Sequence, residues 1–287
     1  MSERSRVSYI NPGHAVRTRT AMRRSFTLVL VLLTVALNAH GAIELEPAEV
    51  SFVTADRGTV YADFYGHAAR RSRLLVLMFH QAGSNAAEYA PIAPRILGFG
   101  FDCLAVDTRS GGFKFLRNNR TVMARGGSAG FDEVYADMEA ALRWATQNKG
   151  YDGVVAWGSS YTAALVFRLA AEHREVRAVI SFSPGEHLGE GEPVRAYASR
   201  VTVPIFVTSA PGVEVGEAAR IVDSAVSAHV SQFVPSAGVH GSSALRDDVN
   251  PQSSADYWRS LEAFVRSELV AASGSGQDNP VLAPETP

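Results

Sequence analysis

The sequence GVVAWGSSYTAALVF, from Gly153 to Phe167, determines how this chain is expected to fold. It begins with the short apolar run Val154–Trp157 and continues into small and apolar residues that have the spacing of a helix. This pattern predicts a buried strand that turns sharply into a helix, with Ser160 at the turn. Gly158 stands two positions earlier, where a side chain would collide if the strand and the helix packed closely together.

The turn matches most of the G-x-S-x-G nucleophile elbow, in which a strained strand-to-helix turn exposes a serine hydroxyl. Thr162 replaces the last glycine of that pattern. Ser159 is the poorer candidate, because a tryptophan and not a glycine stands two positions before it. Ser160 is therefore the predicted nucleophile.

Other apolar runs predict strands that alternate with helices. The expected strands cover residues 50–54, 60–65, 74–79, 101–106, 176–182, 204–208 and 230–234. The expected helices cover residues 86–97, 131–147, 216–227 and 253–270. Together these elements predict an α/β fold, with a mostly parallel twisted sheet of about eight strands and helices on both faces. Since only residues 183–202 connect two of the strands, little or no cap domain is expected.

The composition is that of a globular protein with one large core. The chain has 287 residues, of which 46% are hydrophobic and 20% are charged. Residues 42–272 are predicted to form one α/β domain, and the tail 273–287 is predicted to be disordered. The single cysteine, Cys103, lies in an apolar run and is expected in the core, so no internal disulfide or thiolate cluster can form. The histidines and carboxylates show no metal-ligand spacing, so no metal site is expected.

Residues 1–41 have the pattern of an N-terminal extension followed by a secretory signal peptide. Two arginines precede the apolar run Phe26–Leu37, and the small residues Ala39 and Gly41 follow it. This run is too short to span a bilayer, which needs roughly 20 residues. An uncleaved anchor is the alternative. The signal predicts a periplasmic or secreted protein of a bacterial cell, with no stable membrane insertion after cleavage.

The charge of the remaining chain argues against nucleic acid as a partner. Without residues 1–41 the chain keeps 21 basic and 28 acidic residues, which makes it about seven charges negative.

A serine nucleophile needs a base, and the candidate is His240, which follows the last predicted strand. Loops at the carboxyl ends of parallel strands lie together, so His240 and Ser160 are expected to meet. The imidazole would take the serine proton and later give it to the leaving group. The alternative is a structural loop histidine.

An oxyanion hole needs two backbone N–H groups near the attacked carbonyl. One is expected from Tyr161, the residue after the nucleophile, and the other from the loop HQAGSN, residues 80–85. In that loop Ala82 is the preferred donor and Gln81 the second choice. His80 is expected to be a structural residue that closes the strand, although direct catalysis is the alternative.

The acid that orients the histidine is expected after the penultimate strand. No aspartate lies there, and Glu214 is the nearest carboxylate at a suitable distance. Glu217 is the second choice because it is expected to lie on the following helix. Alternatively, Glu214 only stabilises the N-terminus of that helix.

Two polar features receive structural interpretations. Asp107 ends a strand and is expected to hold neighbouring loops by accepting hydrogen bonds. Three arginines of the following segment, Arg117, Arg120 and Arg125, are expected in a solvated loop, with the binding of an anionic substrate group as the alternative.

The segments HQAGSN, LAVDTRSGG, GSSYT and GVHG, in this order within residues 50–270, resemble the α/β-hydrolase superfamily. Within it, they resemble the dienelactone-hydrolase-like esterases with a small lid. The resemblance implies a triad of Ser160, Glu214 and His240 that hydrolyses an ester through an acyl-enzyme and needs no cofactor. Dienelactone hydrolases themselves use a cysteine nucleophile, so their substrate is not transferred to this chain.

The sequence thus predicts an exported serine hydrolase that acts on small or medium carboxylic esters. An amide or acyl-peptide hydrolase is an alternative, because the same triad serves both reactions. A binding protein that keeps the fold without catalysis is another. The chain departs from the family at three points: Thr162 in the elbow, Gln81 where many relatives have glycine, and the missing aspartate. The imperfect elbow and the missing aspartate favour the binding protein.

Overall fold

The computed structural model describes residues 46–67 and 72–271. The predicted signal peptide and the predicted disordered tail lie outside these residues. The described strands are β1 (Ala48–Val53), β2 (Thr59–Tyr65), β3 (Leu74–Phe79), β4 (Asp102–Asp107), β5 (Phe113–Lys114), β6 (Arg117–Asn118), β7 (Gly153–Ser159), β8 (Val176–Phe182), β9 (Ile205–Thr208) and β10 (Val230–Phe233). All except the hairpin β5–β6 form one eight-stranded sheet.

The order of the sheet is β1-β2-β4-β3-β7-β8-β9-β10. Strand β2 pairs antiparallel with both β1 and β4, and every other pair is parallel. The predicted mostly parallel sheet of about eight strands is confirmed. The parallel strands end at one common edge, and the loops that carry the candidate site residues follow these ends.

The described α-helices are α1 (Ala93–Gly98), α2 (Arg120–Arg125), α3 (Tyr135–Arg143), α4 (Tyr161–Glu172), α5 (Pro193–Ala198), α6 (Val213–Val222) and α7 (Ser254–Phe264). Short 3₁₀ turns cover Ala86–Tyr89, Asp132–Val134 and Ser242–Leu245, and π-helical turns extend α3 over Trp144–Asn148 and α7 over Val265–Val270. No helix of residues 46–67 and 72–271 is long and apolar enough to cross a bilayer.

Helices cover both faces of the sheet, as predicted. On β3, Leu75 and Leu77 face a core shared with α3 and α4, whereas Val76 and Met78 face a second core shared with α1 and α7. Successive strand residues point to opposite faces, so a strand that is buried on both faces is apolar at every position. Cys103 is buried in the second core, where it was expected.

The sequence-based helix over residues 86–97 was wrong in one respect: it is split in two. A 3₁₀ turn covers Ala86–Tyr89, and α1 begins at Ala93 with a proline in its first turn. Pro91 lies between them, and a proline there lacks the N–H that a continuous helix would need. The connection of residues 183–202 contains only the six-residue helix α5, in agreement with the expectation of little cap.

Candidate active site

Ser160 lies at the turn between β7 and α4, with φ 63° and ψ −122°. A positive φ is costly for a residue with a side chain, and such strain concentrates at functional sites. A Cβ atom added at Gly158 would lie 2.3 Å from the carbonyl oxygen of Thr162, so only glycine fits there. The Thr162 hydroxyl accepts the Ser159 N–H at 2.8 Å and donates to the carbonyl of Phe79 at 2.8 Å. The residue that replaces the last glycine therefore ties the elbow to β3.

His240 and Glu214 form a hydrogen-bonded pair. Nδ1 of His240 lies 2.9 Å from Oε1 of Glu214, and Oε2 of Glu214 accepts the N–H of Ala210 at 3.1 Å. Burial alone would raise the pKa of Glu214, but hydrogen bonds from Ser183 and His240 outweigh it and hold this pKa below its usual value. An ionised carboxylate accepts a hydrogen bond from the protonated Nδ1. The unprotonated Nε2 of the same ring can then accept a proton.

Glu214 lies on a helix and not in the loop before it. Helix α6 begins at Val213, three residues before the predicted start, and therefore includes both Glu214 and Glu217. Glu214 is in its first turn, and the carboxylate folds back to reach the N–H of Ala210.

Ser183 connects the start of the Glu214 helix with the loop of His240, and the sequence analysis missed it. Its hydroxyl accepts the N–H of Gly241 at 3.0 Å and also contacts the carboxylate of Glu214. Its own φ is 59°, and its N–H donates to the carbonyl of Thr208 at 2.7 Å. A serine after a strand carries no sequence signal for this role, since the contacts come from distant parts of the chain.

The loop of His240 packs against the elbow. The N–H of Ser242 donates to the hydroxyl of Ser159 at 2.9 Å, and a Cβ added at Gly241 would lie 2.5 Å from the same oxygen. Within the described chain, the His240 ring bonds to Glu214, and no hydrogen bond joins it to the Ser160 hydroxyl. The side chain of His240 is 42% exposed and so remains accessible from solvent. Catalytic hydrogen bonds are commonly long before substrate binds.

Both peptide groups that flank Gln81 are fixed. Its N–H donates to Oε2 of Glu88 at 3.2 Å. Its carbonyl oxygen lies 2.7 Å from Nδ1 of His80 and accepts the N–H of Ser84 at 3.2 Å. Because a trans peptide is planar, the N–H of Ala82 points away from that carbonyl.

The backbone N–H groups of Ala82 and Tyr161, near the elbow, have no acceptor among the described residues. Both were predicted oxyanion donors. The N–H of Gln81, the second choice in the same loop, is already engaged by Glu88.

His80 has the contacts of a structural residue. It is fully buried, and its Nε2 lies 3.0 Å from the N–H nitrogen of Thr108 and 3.1 Å from Nδ2 of Asn119. Two donors at Nε2 place the ring proton on Nδ1, which therefore donates to the carbonyl of Gln81. The structural role that was favoured for His80 agrees with these contacts.

Asp107 also has the expected contacts. It is fully buried, and its carboxylate accepts the N–H of Ala86 at 2.7 Å and Nε of Arg120 at 2.8 Å. It thereby joins the loop after β3 to helix α2.

The arginines after β4 lie on β6 and α2 and not in a loop, and carboxylates engage all three. The binding of an anionic substrate group by these arginines stays a prediction. Arg117 and Arg120 both bond to the buried carboxylate of Asp63, at 3.0 and 2.8 Å for its Oδ1. Arg125 pairs with Glu133 at 3.1 Å. The sequence analysis missed this because Asp63 comes from β2, far away in the chain.

A cleft of about 300 Å³ lies beside helix α4. Its wall next to the elbow is Phe131, whose ring stacks on Tyr161 with the centroids 4.3 Å apart. The lining residues are Phe131, Asp132, Leu165, Arg168, His187, Leu188, Gly189, Pro193 and Tyr197. In the described parts of the chain, no three His, Cys, Asp or Glu residues gather to hold a metal ion.

The sequence was compared with known protein families and structures. The family model described as serine aminopeptidase, S33, matches residues 70–275. The chain belongs to this family. It is therefore a serine hydrolase with the α/β-hydrolase fold, as the resemblance implied. The narrower resemblance of this S33 member to dienelactone-hydrolase-like esterases stays a prediction. No curated protein sequence matches the chain.

Solved structures show the same fold at low identity. An esterase from Pyrococcus furiosus superimposes with a TM-score of 0.60 at 18% identity, over 90% of this chain and 100% of its own. An esterase domain from Rhodothermus marinus gives 0.54 at 16%, over 76% and 97%. An acylaminoacyl peptidase from Pyrococcus horikoshii gives 0.57 at 12%, over 83% of this chain and 43% of its own.

Proposed function

We propose that this S33 member is an exported carboxylesterase that hydrolyses small or medium carboxylic esters through an acyl-enzyme on Ser160. The observation that carries the proposal is the 2.9 Å pair of His240 and Glu214, which follow two strands at the same edge of the sheet as the strained elbow serine. The esterases with a similar fold support ester substrates.

In the proposed reaction, the Ser160 hydroxyl oxygen attacks the ester carbonyl while Nε2 of His240 takes its proton. Glu214 stabilises the resulting imidazolium. The imidazolium then protonates the leaving alcohol, the carbon–oxygen bond to the alcohol breaks, and an acyl-enzyme remains. Water, deprotonated by the same histidine, attacks the acyl-enzyme, and the carboxylic acid leaves as Ser160 regains its proton.

The negative oxygen of each tetrahedral intermediate is assigned to the N–H groups of Tyr161 and Ala82. Their freedom from other acceptors supports this choice. Gln81 is not assigned as a donor, because its N–H is bonded to Glu88. Donors fixed in advance stabilise the developing charge without reorganisation, and the loss of one typically costs about 10²–10³ in kcat.

The cleft beside α4 is proposed to bind the apolar part of the substrate. Its wall at Phe131 contacts the ring of Tyr161, the residue that follows the nucleophile. Leu165, Leu188 and Pro193 add apolar surface, and a volume of about 300 Å³ suits a small or medium group. The periplasmic or secreted location is proposed from the predicted signal peptide alone.

The test is labelling with a fluorophosphonate probe, which reacts with an activated serine. The full-length protein should be labelled, and Ser160→Ala should not be. Ser160→Ala should also lower kcat by on the order of 10⁶. Ser181→Ala is the matched control, because Ser181 is a buried serine whose hydroxyl bonds to the carbonyl of Ala163. Equal labelling of the wild type and Ser160→Ala would exclude the assignment.

Amide or acyl-peptide hydrolysis is the second candidate. The description of the family as serine aminopeptidases and the fold shared with an acylaminoacyl peptidase favour it. An ester and an anilide with the same acyl group separate the two functions. We expect kcat/KM to be higher for the ester by more than the difference in their chemical reactivity, and a preference for the anilide would support the peptidase. A folded protein that binds esters but takes up no probe would instead be a non-catalytic binding protein.

A further inference from the structure

Glu88 is a fully buried carboxylate behind the candidate site. It lies on the 3₁₀ turn Ala86–Tyr89, in the loop that follows β3. Glu88 belongs neither to the proposed triad nor to the pair of oxyanion donors, and it takes no part in the steps of the proposed reaction.

The carboxylate of Glu88 joins the oxyanion loop to the elbow. Its Oε2 accepts the N–H of Gln81 at 3.2 Å, and its Oε1 accepts the hydroxyl of Ser159 at 2.7 Å. The Ser159 oxygen also accepts the N–H of Ser242, in the loop of His240, at 2.9 Å. Glu88 therefore joins the oxyanion loop to the elbow directly and to the loop of His240 through Ser159.

The backbone around Glu88 is anchored separately. One guanidinium nitrogen of Arg246 donates to the carbonyls of Ala87 and Glu88, at 2.7 and 3.0 Å. No arginine, lysine or histidine of the described chain forms an ion pair with the carboxylate itself, so its partners are neutral donors. A buried carboxylate without a cation depends on its hydrogen bonds, because a buried polar group without partners is costly.

We propose that Glu88 is a positioning residue that fixes the oxyanion hole, an inference that rests on the proposed function. It holds the Gln81 N–H away from the substrate, while His80 and Ser84 hold the Gln81 carbonyl. Because the two peptide groups that flank Gln81 are fixed, the orientation of the Ala82 N–H is fixed as well. The bond to Ser159 keeps this loop in register with the elbow, which supplies the second donor.

Three substitutions separate the role of the hydrogen bonds from that of the charge. Glu88→Ala removes both bonds. Glu88→Asp shortens the side chain so that it cannot reach both Gln81 and Ser159. Glu88→Gln keeps both bonds, because its oxygen can accept the Gln81 N–H while its amide donates to the Ser159 oxygen.

The first readout is steady-state hydrolysis of a nitrophenyl ester by each purified variant. For Glu88→Ala and Glu88→Asp we expect kcat to fall by about 10²-fold with KM nearly unchanged, because the donors act on the transition state. Glu88→Gln should stay within about threefold of the wild type.

The second readout is inhibition by a trifluoromethyl ketone, which adds the nucleophile and places a negative oxygen in the hole. Its inhibition constant should rise in Glu88→Ala and Glu88→Asp by the same factor by which kcat falls. Binding of the unreactive alcohol that corresponds to the ketone should not change. If Glu88 had only a structural role, its replacement would lower the melting temperature and leave kcat and the inhibition constant unchanged.

Asp102→Asn is the matched control. Asp102 is a buried carboxylate at the start of β4, at the end of the strand away from the site, and it accepts a hydrogen bond from the hydroxyl of Tyr151 at 2.6 Å. This variant should lose stability but keep kcat and inhibitor affinity. If Glu88→Ala does not fold, Glu88→Asp decides. A folded Glu88→Asp with wild-type kcat and inhibition, or a folded Glu88→Gln as impaired as Glu88→Ala, would overturn the proposal. Activity that persists in Ser160→Ala would instead refute the proposed function.

Discussion

Replacement of Glu214 by glutamine tests the least secure member of the proposed triad. Glutamine keeps the size of the side chain, and its amide oxygen can accept a hydrogen bond from Nδ1–H of His240. It removes the negative charge that stabilises the imidazolium formed when the histidine takes the serine proton. The contact that changes is the 2.9 Å pair between Oε1 and Nδ1.

The structure sets the size of the effect. Two unit charges about 4 Å apart interact by about 1 kcal/mol in water and about 4 kcal/mol at an effective dielectric constant of 20. The side chains of His240 and Glu214 are 42% and 25% exposed, so the interaction lies between these limits. About 2 to 3 kcal/mol corresponds to a decrease of about 10²-fold in kcat. A fully buried triad acid can cost about 10⁴, so we expect a milder loss here.

The assay measures kcat and KM for a nitrophenyl ester near pH 8, together with the rate of fluorophosphonate labelling. Both kcat and the labelling rate should fall by about 10²-fold, with KM little changed. Glu217→Gln is the matched control, because it lies on the same helix one turn later. The reasoning is refuted if Glu214→Gln stays within threefold of the wild type, or if Glu217→Gln loses as much.

Three further changes test the surroundings of the site. Ser183→Ala removes a hydrogen bond that lowers the pKa of Glu214, so this pKa should rise towards its usual value of 4.5. Because a lowered pKa in the folded state stabilises only while the group is ionised, the deficit of this variant in urea unfolding at pH 6.5 should shrink as the pH falls below about 4. Gly158→Ala places a Cβ 2.3 Å from a carbonyl oxygen and should lower the free energy of unfolding by at least about 1–3 kcal/mol, with loss of probe labelling in the folded fraction. Trp157→Ala empties a fully buried site and should cost about 3–5 kcal/mol in the same measurement. An unfolding free energy equal to that of the wild type would contradict each of these expectations.

The central strands could be predicted from the sequence because they are buried on both faces. The bounds predicted for β3 and β8 agree with the structure to the residue. Almost every position in them is apolar and a polar or turn residue follows, so the sequence itself marks where they end.

The segment between β4 and α3 could not be predicted in the same way. Its hairpin β5–β6 turns at Phe115 and Leu116, which have φ values of 52° and 57°. A turn of this kind is normally recognised from Asn or Gly, and here neither is present. Hydrogen bonds from Nδ2 of Asn85 to the carbonyls of Lys114 and Arg117 hold the hairpin, at 2.9 and 2.8 Å. Those contacts depend on tertiary structure, which local sequence patterns do not predict.

The residues of the candidate site also differ in whether local sequence could predict them. Residues whose roles follow from chain order, Ser160 and His240, could be named from the sequence because each follows the end of a strand. Ser183 and Glu88 could not, because their partners are distant: Glu88 meets Ser159 across 71 positions. Their side chains act on the backbone of other loops, and no local pattern records such contacts.

Glu214 shows why two interpretations of one residue need not compete. The sequence left open whether it orients His240 or stabilises the start of a helix. Its carboxylate contacts His240, and its position in the first turn of α6 suits the second role. The first turn of a helix has a positive electrostatic potential, and the histidine becomes positive when it takes a proton. Both therefore favour the ionised carboxylate, as do the N–H of Ala210 and the hydroxyl of Ser183. The early start of α6 thus brings a glutamate within reach of His240, where the sequence analysis expected an aspartate.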